Sequence, residues 1–324
     1  MLSEAQIDRS LGSMIGMACG DALGAGYEFQ PAFGKQFPVS MIGGGLGDFA
    51  KGEWTDDTSM AIVIAQALAE SQGELSDAAL DYMVRTWAEW ALTAPDVGNQ
   101  TRAVLSSAQS LAQADGRTEI SWQDAMKSSE LVHQRTGRSG GNGSLMRTAP
   151  VALAFHEHDE HETYEAAVRV SELTHFDIEA GEACGLWTVA IQHAIHTGEL
   201  DLRRGLKLLE SDRASVWSRR IESAELGTPA QFTQNGWVVE ALQSAWCSIS
   251  TTSNGRPSEH LVAALEAAVR GGQDTDTVAA IAGSLIGAAY GKAAIPTQWQ
   301  TSIHGWPGLR AKELEELSLA LTSH

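Results

Sequence analysis

Two short acidic clusters in this 324-residue chain hold oxygen ligands in a pattern that suits metal chemistry. The first is Trp54-Thr55-Asp56-Asp57-Thr58-Ser59-Met60, and the second is Gly271-Gly272-Gln273-Asp274-Thr275-Asp276-Thr277. Each stands directly before an apolar helical run, so its Asp and Thr oxygens fall in the first turn of a helix. Residues of these types are common as caps, where they meet free N–H groups and the helix macrodipole. A cap needs one side-chain oxygen, whereas each cluster offers two carboxylates and at least two hydroxyls. Carboxylates packed this closely repel one another unless a cation lies between them. Oxygen-only donors, with no His or Cys adjacent, suit Mg²⁺, Mn²⁺ or Ca²⁺ far better than Zn²⁺. If the two helix starts converge, they make a site for one or two hard divalent ions.

The elements that must position these clusters are helices. Apolar residues recur at i, i+3 and i+4 over 61–70, 161–173, 178–196, 236–249, 258–270 and 277–291, and β-branched alternation is scarce. Ser121-x-x-Asp124 has the form of a capping box that opens another helix. Pro95, Pro150, Pro257, Pro296 and Pro307 mark breaks between elements. The segment 30–53, rich in Gly, Phe and Pro, reads as an ordered loop on the surface or against the site. The fold class is therefore all-α, and with no linker-like shift in composition the expectation is one domain over 1–324.

Glycines recur every fourth residue at Gly12, Gly16, Gly20 and Gly24, and again at Gly283, Gly287 and Gly291. Each costs about 1 kcal/mol in a helix relative to alanine, so a stripe of them predicts two helices with backbones in close approach. Cys19, Cys184 and Cys247 are too scattered for a CxxC zinc site or a disulfide framework. The first residues show no secretory signal, and no stretch is apolar enough to span a membrane, which points to the cytoplasm. A net charge of −19 disfavours general nucleic-acid binding through a basic groove. Composition does not bear on oligomeric state.

Gly16-Met-Ala-Cys-Gly-Asp-Ala-Leu-Gly24, followed by Glu28-Phe29, resembles the opening of the ADP-ribosylglycohydrolase family. Thr55-Asp56-Asp57-Thr58 and Asp274-Thr275-Asp276-Thr277 are similar to its two metal motifs, in the right order. Gly141-Asn142-Gly143-Ser144-Leu145-Met146-Arg147 resembles its glycine-rich loop, and Thr174-His175 its Thr-His element. Pro95-Asp96-Val97-Gly98-Asn99 is similar to an Asp-Ile-Gly stretch, with valine in place of isoleucine. The second metal motif departs slightly, because many relatives carry an Asp close after the glycines. Five motifs in order span roughly residues 10–295.

The resemblance implies an orthogonal multi-helix domain that hydrolyses ADP-ribose linkages with two Mg²⁺ ions, Mn²⁺ being possible, and takes ADP-ribose or an ADP-ribosylated substrate as its partner. Thr55, Asp56 and Asp57 would serve the metals from one side, and Asp274, Asp276 and Thr277 from the other. Gly141, Asn142, Gly143, Ser144 and Met146 would present backbone N–H groups to the diphosphate, with His175 beside the same ligand. Glu28, Asp57 and Asp96 are the candidates to take a proton from the attacking water in an oxocarbenium-like cleavage.

Two other functions fit the same residues: a metal-dependent phosphoester or nucleoside hydrolase, and a non-catalytic ADP-ribose binder on the same fold. Against the first, Lys51 and Arg270 are the only basic residues near either cluster, and Arg147 reads equally as a phosphate ligand or a surface charge. Against the second, every metal-motif position is retained. Among the ten tryptophans, Trp54 is the candidate to stack on adenine, whereas Trp87, Trp90 and Trp187 fall at core spacing. The acceptor is not readable from these residues.

Overall fold

The computed structural model describes residues 2–252 and 255–323. Ser3 and Gln6 cap each other reciprocally and open α1 (Glu4–Gly24). There follow α2 (Asp56–Glu70), α3 (Asp77–Trp90), α4 (Asn99–Ala114) and α5 (Trp122–Thr136). The middle of the chain forms α6 (Ala149–Ala154), α7 (Glu160–Glu172), α8 (Ile178–Thr197) and α9 (Ser211–Glu225). The last third forms α10 (Val238–Ser250), α11 (Pro257–Arg270), α12 (Thr275–Tyr290), α13 (Thr297–Ser302) and α14 (Ala311–Leu321). Among the described residues the only sheet is a two-stranded antiparallel ribbon, β1 (His304–Gly305) with β2 (Leu309–Arg310). The all-α expectation holds.

The helices expected from periodicity lie within a few residues of those observed. The Ser121–Asp124 capping box is present at the start of α5. Pro257 occupies the first position of α11 and Pro150 the first turn of α6, where a missing N–H costs little. Cys19, Cys184 and Cys247 are free and buried. Trp87, Trp90 and Trp187 are core residues, and the Trp87 and Trp187 indoles donate to Met60 O and Ile281 O. Among the described residues no helix is long and apolar enough to cross a membrane.

The two glycine stripes meet in a seam. A Cβ on Gly12 would sit 2.3 Å from Gly287 O, one on Gly16 2.4 Å from Gly283 O, and one on Gly20 2.0 Å from Ala279 O. No side chain fits between α1 and α12 along this line. The seam ends at the chemistry, because a Cβ on Gly24 would lie 2.4 Å from Asp276 Cα. Around it, α1 from Ser13 onward, α8 and α12 are buried on nearly every face. They form the centre of a hydrophobic core to which helices from both halves of the chain contribute.

The 30–53 segment is an ordered loop fastened to the C-terminal half. Phe29 N donates to Gln273 O (2.6 Å), Gln273 N to Gln30 O (2.8 Å), and Phe33 N to Arg270 O (2.9 Å). These bonds carry the preceding residue, Glu28, to the start of α12.

Candidate active site

Helix α2 begins on a carboxylate borrowed from α1. Asp21 is fully buried, and its Oδ1 accepts from Thr55 N at 2.8 Å. Its Oδ2 accepts from Thr58 N at 3.0 Å and from Thr58 Oγ1 at 2.6 Å. With those donors served from another helix, Asp56 and Asp57 are released from capping. Thr55 Oγ1 reaches both acidic clusters, at 3.0 Å from Asp57 Oδ2 and 3.4 Å from Asp276 Oδ2. Asp56 Oδ2 accepts from Gly98 N at 3.3 Å, which ties α2 to the segment holding Asp96.

Helix α12 begins on amides. Asp274 N donates to Asn235 Oδ1 (3.0 Å), and Asn142 Nδ2 donates to Asp274 Oδ2 (2.7 Å). Asn142 also donates to Asn235 O (2.8 Å), so the glycine-rich loop, the segment before α10 and the start of α12 form one network. Gly272 has φ +78° and Gln273 φ +63°, a left-handed pair that turns the chain sharply into the helix.

The two starts converge. One oxygen from each of Glu28, Asp274 and Asp276 lies within 4.8 Å of the others, close enough to share a cation. A cleft of about 340 Å³ opens over them. Its lining includes Glu28, Asp56, Asp96, Asp274, Asp276 and Thr277, together with Gly141, Asn142, Gly143, Met146 and His175. Thr55 and Asp57 lie beneath this surface and are not part of its lining.

Burial and mutual repulsion push these carboxyls upward. Desolvation raises Glu28 to about 8 and Asp56 to about 7, reinforced in both by the Asp96 and Asp274 charges. Asp57 and Asp276 are driven well above the usual carboxylate range by burial and then by neighbouring carboxylates. Asp274 and Asp96 are raised by burial, and Asp21 to about 6 by the same cause against its three hydrogen bonds. Asp57 Oδ1 is buried and has no hydrogen-bond partner among the described residues. An oxygen so placed costs several kcal/mol of lost hydration unless it is protonated or meets a cation. A donor set of oxygen alone, holding an orphaned carboxylate oxygen, fits Mg²⁺ or Mn²⁺.

His175 is held neutral. Burial and the nearby Arg147 charge lower its imidazole to about 3. Arg147 Nη2 donates to Thr174 Oγ1 (2.7 Å), whose hydroxyl lies 2.7 Å from His175 Nδ1. The other ring nitrogen, Nε2, lies beside Gly141 and Gly143, where an added Cβ would come within 3.3 and 3.2 Å of it.

Three expectations change. Asn142 N donates to Gly236 O (3.1 Å) and Met146 N to Asn142 O (3.2 Å), so neither amide is free for a ligand, while the Ser144 hydroxyl faces the core and accepts from Ser171 Oγ (2.8 Å) and Cys184 Sγ (3.4 Å). Trp54 is 1% exposed, donates its indole N–H to Trp306 O (3.2 Å) and lines a different cavity, so it offers no face to adenine in the carboxylate cleft. Arg147 is neither a phosphate ligand nor a surface charge: it is fully buried, with its guanidinium 4.1 Å from the Trp87 ring centroid. The roles of Asp21 and Asn235 were missed. Asp21 stands in the Gly16–Gly24 motif, but its partners are 34 and 37 residues away; Asn235 has no local signal.

The ADP-ribosylglycohydrolase profile matches residues 2–324. The chain belongs to the ADP-ribosylglycohydrolase family. Membership makes it an ADP-ribosylhydrolase. The ADP-ribosylarginine hydrolase Tri1 of Pseudomonas putida (strain GB-1) is 30% identical, over 97% of this chain and 79% of that protein. The ADP-ribosyl-[dinitrogen reductase] glycohydrolase of Rhodospirillum rubrum is 29% identical, over 91% of this chain and 90% of its own length. A solved structure described as an ADP-ribosylglycohydrolase-related protein complex superposes with a TM-score of 0.77 at 29% identity, covering 99% of both chains. The all-helical architecture of this ADP-ribosylglycohydrolase is thus that of a solved relative.

Proposed function

We propose that this chain is a Mg²⁺-dependent hydrolase that cleaves the glycosidic bond between ADP-ribose and a modified acceptor, reversing ADP-ribosylation. The observation that carries this is the meeting of Glu28, Asp274 and Asp276 within 4.8 Å on the cleft lined by the Gly141–Gly143 loop. Thr55, Asp56 and Asp57 would hold metal from one side, and Asp274, Asp276 and Thr277 from the other, with Glu28 closing the set. Two Mg²⁺ ions, or Mn²⁺, would supply Lewis-acid chemistry there, orienting ribose hydroxyls and easing loss of a proton from water.

The protein's own groups do the rest. The Gly141 and Gly143 amides would face the diphosphate, where bare glycines permit a close approach, whereas Asn142 N, Leu145 N and Met146 N already donate within the fold. Neutral His175 beside them adds no charge to repel or attract, so it orients the ligand. Of the three candidates to accept a proton, Glu28 and Asp96 line the cleft and Asp57 does not. Glu28 and Asp96 are therefore the pair to test, and Asp57 is better suited as a ligand from below. The whole chain would act as one catalytic domain. Three buried free thiols suit a reducing compartment such as the cytoplasm.

Calorimetric titration of ADP-ribose with and without Mg²⁺ tests this reading. Metal-dependent binding that disappears in Asp276→Ala is the expected result. Metal-independent binding, or none, would overturn it and favour a repurposed cleft.

A further inference from the structure

A second cavity, of about 530 Å³, shares Asp56 and Asp96 with the carboxylate cleft, both residues lining each. Its walls are of a different kind. Trp54, Trp90 and Trp306 line it together with Glu53. The Trp90 and Trp306 ring centroids are 6.3 Å apart with the planes at 62°, which makes an aromatic corner. Three elements hold that corner: α3 carries Trp90, the turn after β1 carries Trp306, and the Trp54 indole pins the backbone at Trp306 O. Glu53 Oε2 is fixed by Ala50 N at 2.7 Å. Three carboxylates thus face the cavity against one guanidinium, that of Arg310, which is exposed.

An aromatic corner edged by carboxylates is the surface that receives a planar cation, since ring faces and carboxylates both attract positive charge. An indole face could also take adenine, but three carboxylates against one guanidinium disfavour a diphosphate and favour a cation. We propose that this cavity is the acceptor subsite, and that Trp306, Trp90 and Glu53 select the guanidinium-bearing side of an ADP-ribosylated arginine. The ribose lies over the carboxylates of the first cleft, and the acceptor passes across Asp56 and Asp96 into the second. Among the described residues those two alone are common to both cavities, and on this reading they border the bond that is cut. This inference rests on the hydrolase reading above and adds the residues that would set acceptor choice.

The test uses the full chain and Trp306→Ala, with Trp306→Phe and Glu53→Gln as milder variants that keep the fold if the alanine does not. Steady-state hydrolysis of an ADP-ribosylarginine peptide and of an ADP-ribosylserine peptide is compared with direct titration of ADP-ribose. We expect Trp306→Ala to raise KM for the arginine substrate about tenfold, the size of a lost cation–π contact in a sheltered site. Trp306→Phe should recover most of that loss, Glu53→Gln should raise KM about threefold, and the ADP-ribose Kd should stay within about twofold. An unchanged KM, a parallel rise in the ADP-ribose Kd, or wild-type preference for the serine substrate overturns the proposal and leaves the hydrolase reading standing. If wild type neither binds ADP-ribose nor cleaves either substrate, the hydrolase reading fails. Titration of N-acetyl-arginine amide then decides the cavity: saturable binding weakened in Trp306→Phe supports a cation site, and no binding overturns it.

Discussion

The starts of α2 and α12 look alike as strings of Asp and Thr, yet the fold supports them by opposite means. At α2 the free N–H groups are taken by a buried carboxylate, Asp21, which adds a further negative charge beside Asp56 and Asp57. At α12 the support is neutral, with Asn235 accepting from Asp274 N and Asn142 donating to Asp274 Oδ2. One start gains charge from its support and the other has its charge partly satisfied. The contrast teaches that capping and metal binding can be separated: at α2 Asp21 meets the N-terminal donors and leaves Asp56 and Asp57 available, whereas at α12 Asp276 Oδ1 itself accepts from Thr277 N at 2.9 Å. It also assigns the glycine-rich loop a second task, because Asn142 of that loop steadies a metal-motif aspartate.

The largest effect should come from removing a carboxylate on either side. Asp57→Ala and Asp276→Ala should each lower turnover at least about a hundredfold, as expected where a metal supplies the Lewis acid. In chelator, by contrast, Asp57→Asn should melt at or above the wild-type temperature, since it removes a repelled charge. Melting curves with and without Mg²⁺ separate these arms, and retained Mg²⁺-dependent turnover in either alanine variant would sink the metal-site assignment.

Breaking the supports comes next. Asp21→Asn should cost about 2–4 kcal/mol, because an amide NH₂ is turned toward the Thr55 and Thr58 donors in a buried site. Asn142→Asp would give α12 the acidic support that α2 has. It should cost about 1–3 kcal/mol in chelator, with part of the loss restored by Mg²⁺. Denaturant midpoints measure both, and equal losses insensitive to metal would erase the distinction between the two starts.

A smaller effect concerns His175, beside the same loop. Its folded-state value of about 3 lies below the unfolded value of 6.5, so the unfolded chain binds the proton first. Its contribution is intact above pH 6.5 and is lost progressively as pH falls toward 3. His175→Gln should therefore remove about 1 kcal/mol of the stability difference between pH 6.5 and 5.5. Identical pH slopes for the two proteins would show that the imidazole does not titrate in this way.

The helices at 61–70, 161–173, 178–196, 236–249, 258–270 and 277–291 were legible because their apolar faces repeat locally, and the two acidic clusters because a cap does not need that many oxygens. The seam between α1 and α12 was legible in kind, since glycine has few other reasons to recur every four residues. What joined these pieces was not. Asp21 and Asn235 act on residues 34 and 39 positions away, and a single sequence carries no sign of such pairings. Trp54 misled because adjacency in the chain is not adjacency in the cleft. The turn into α2 aims the indole at Trp306 while Asp56 and Asp57 approach α12. Arg147 misled because a lone arginine is usually solvated, whereas here Trp87 offers a ring and Thr174 an oxygen inside the core.

The glycine seam also limits how this protein can change. In an ordinary core, a methylene lost on one side can be regained on the other, so sequences drift through compensating pairs. Between α1 and α12 a Cβ would overlap backbone atoms at 2.0–2.4 Å from Gly12, Gly16, Gly20 and Gly24, and no partner side chain is present to shrink. A mutation there has no local second-site remedy short of moving a helix, and moving either helix displaces Asp21 or Asp276. Random mutagenesis with selection for activity should therefore recover few substitutions along this line and few suppressors near it, while the exposed faces of α9 and α14 vary freely.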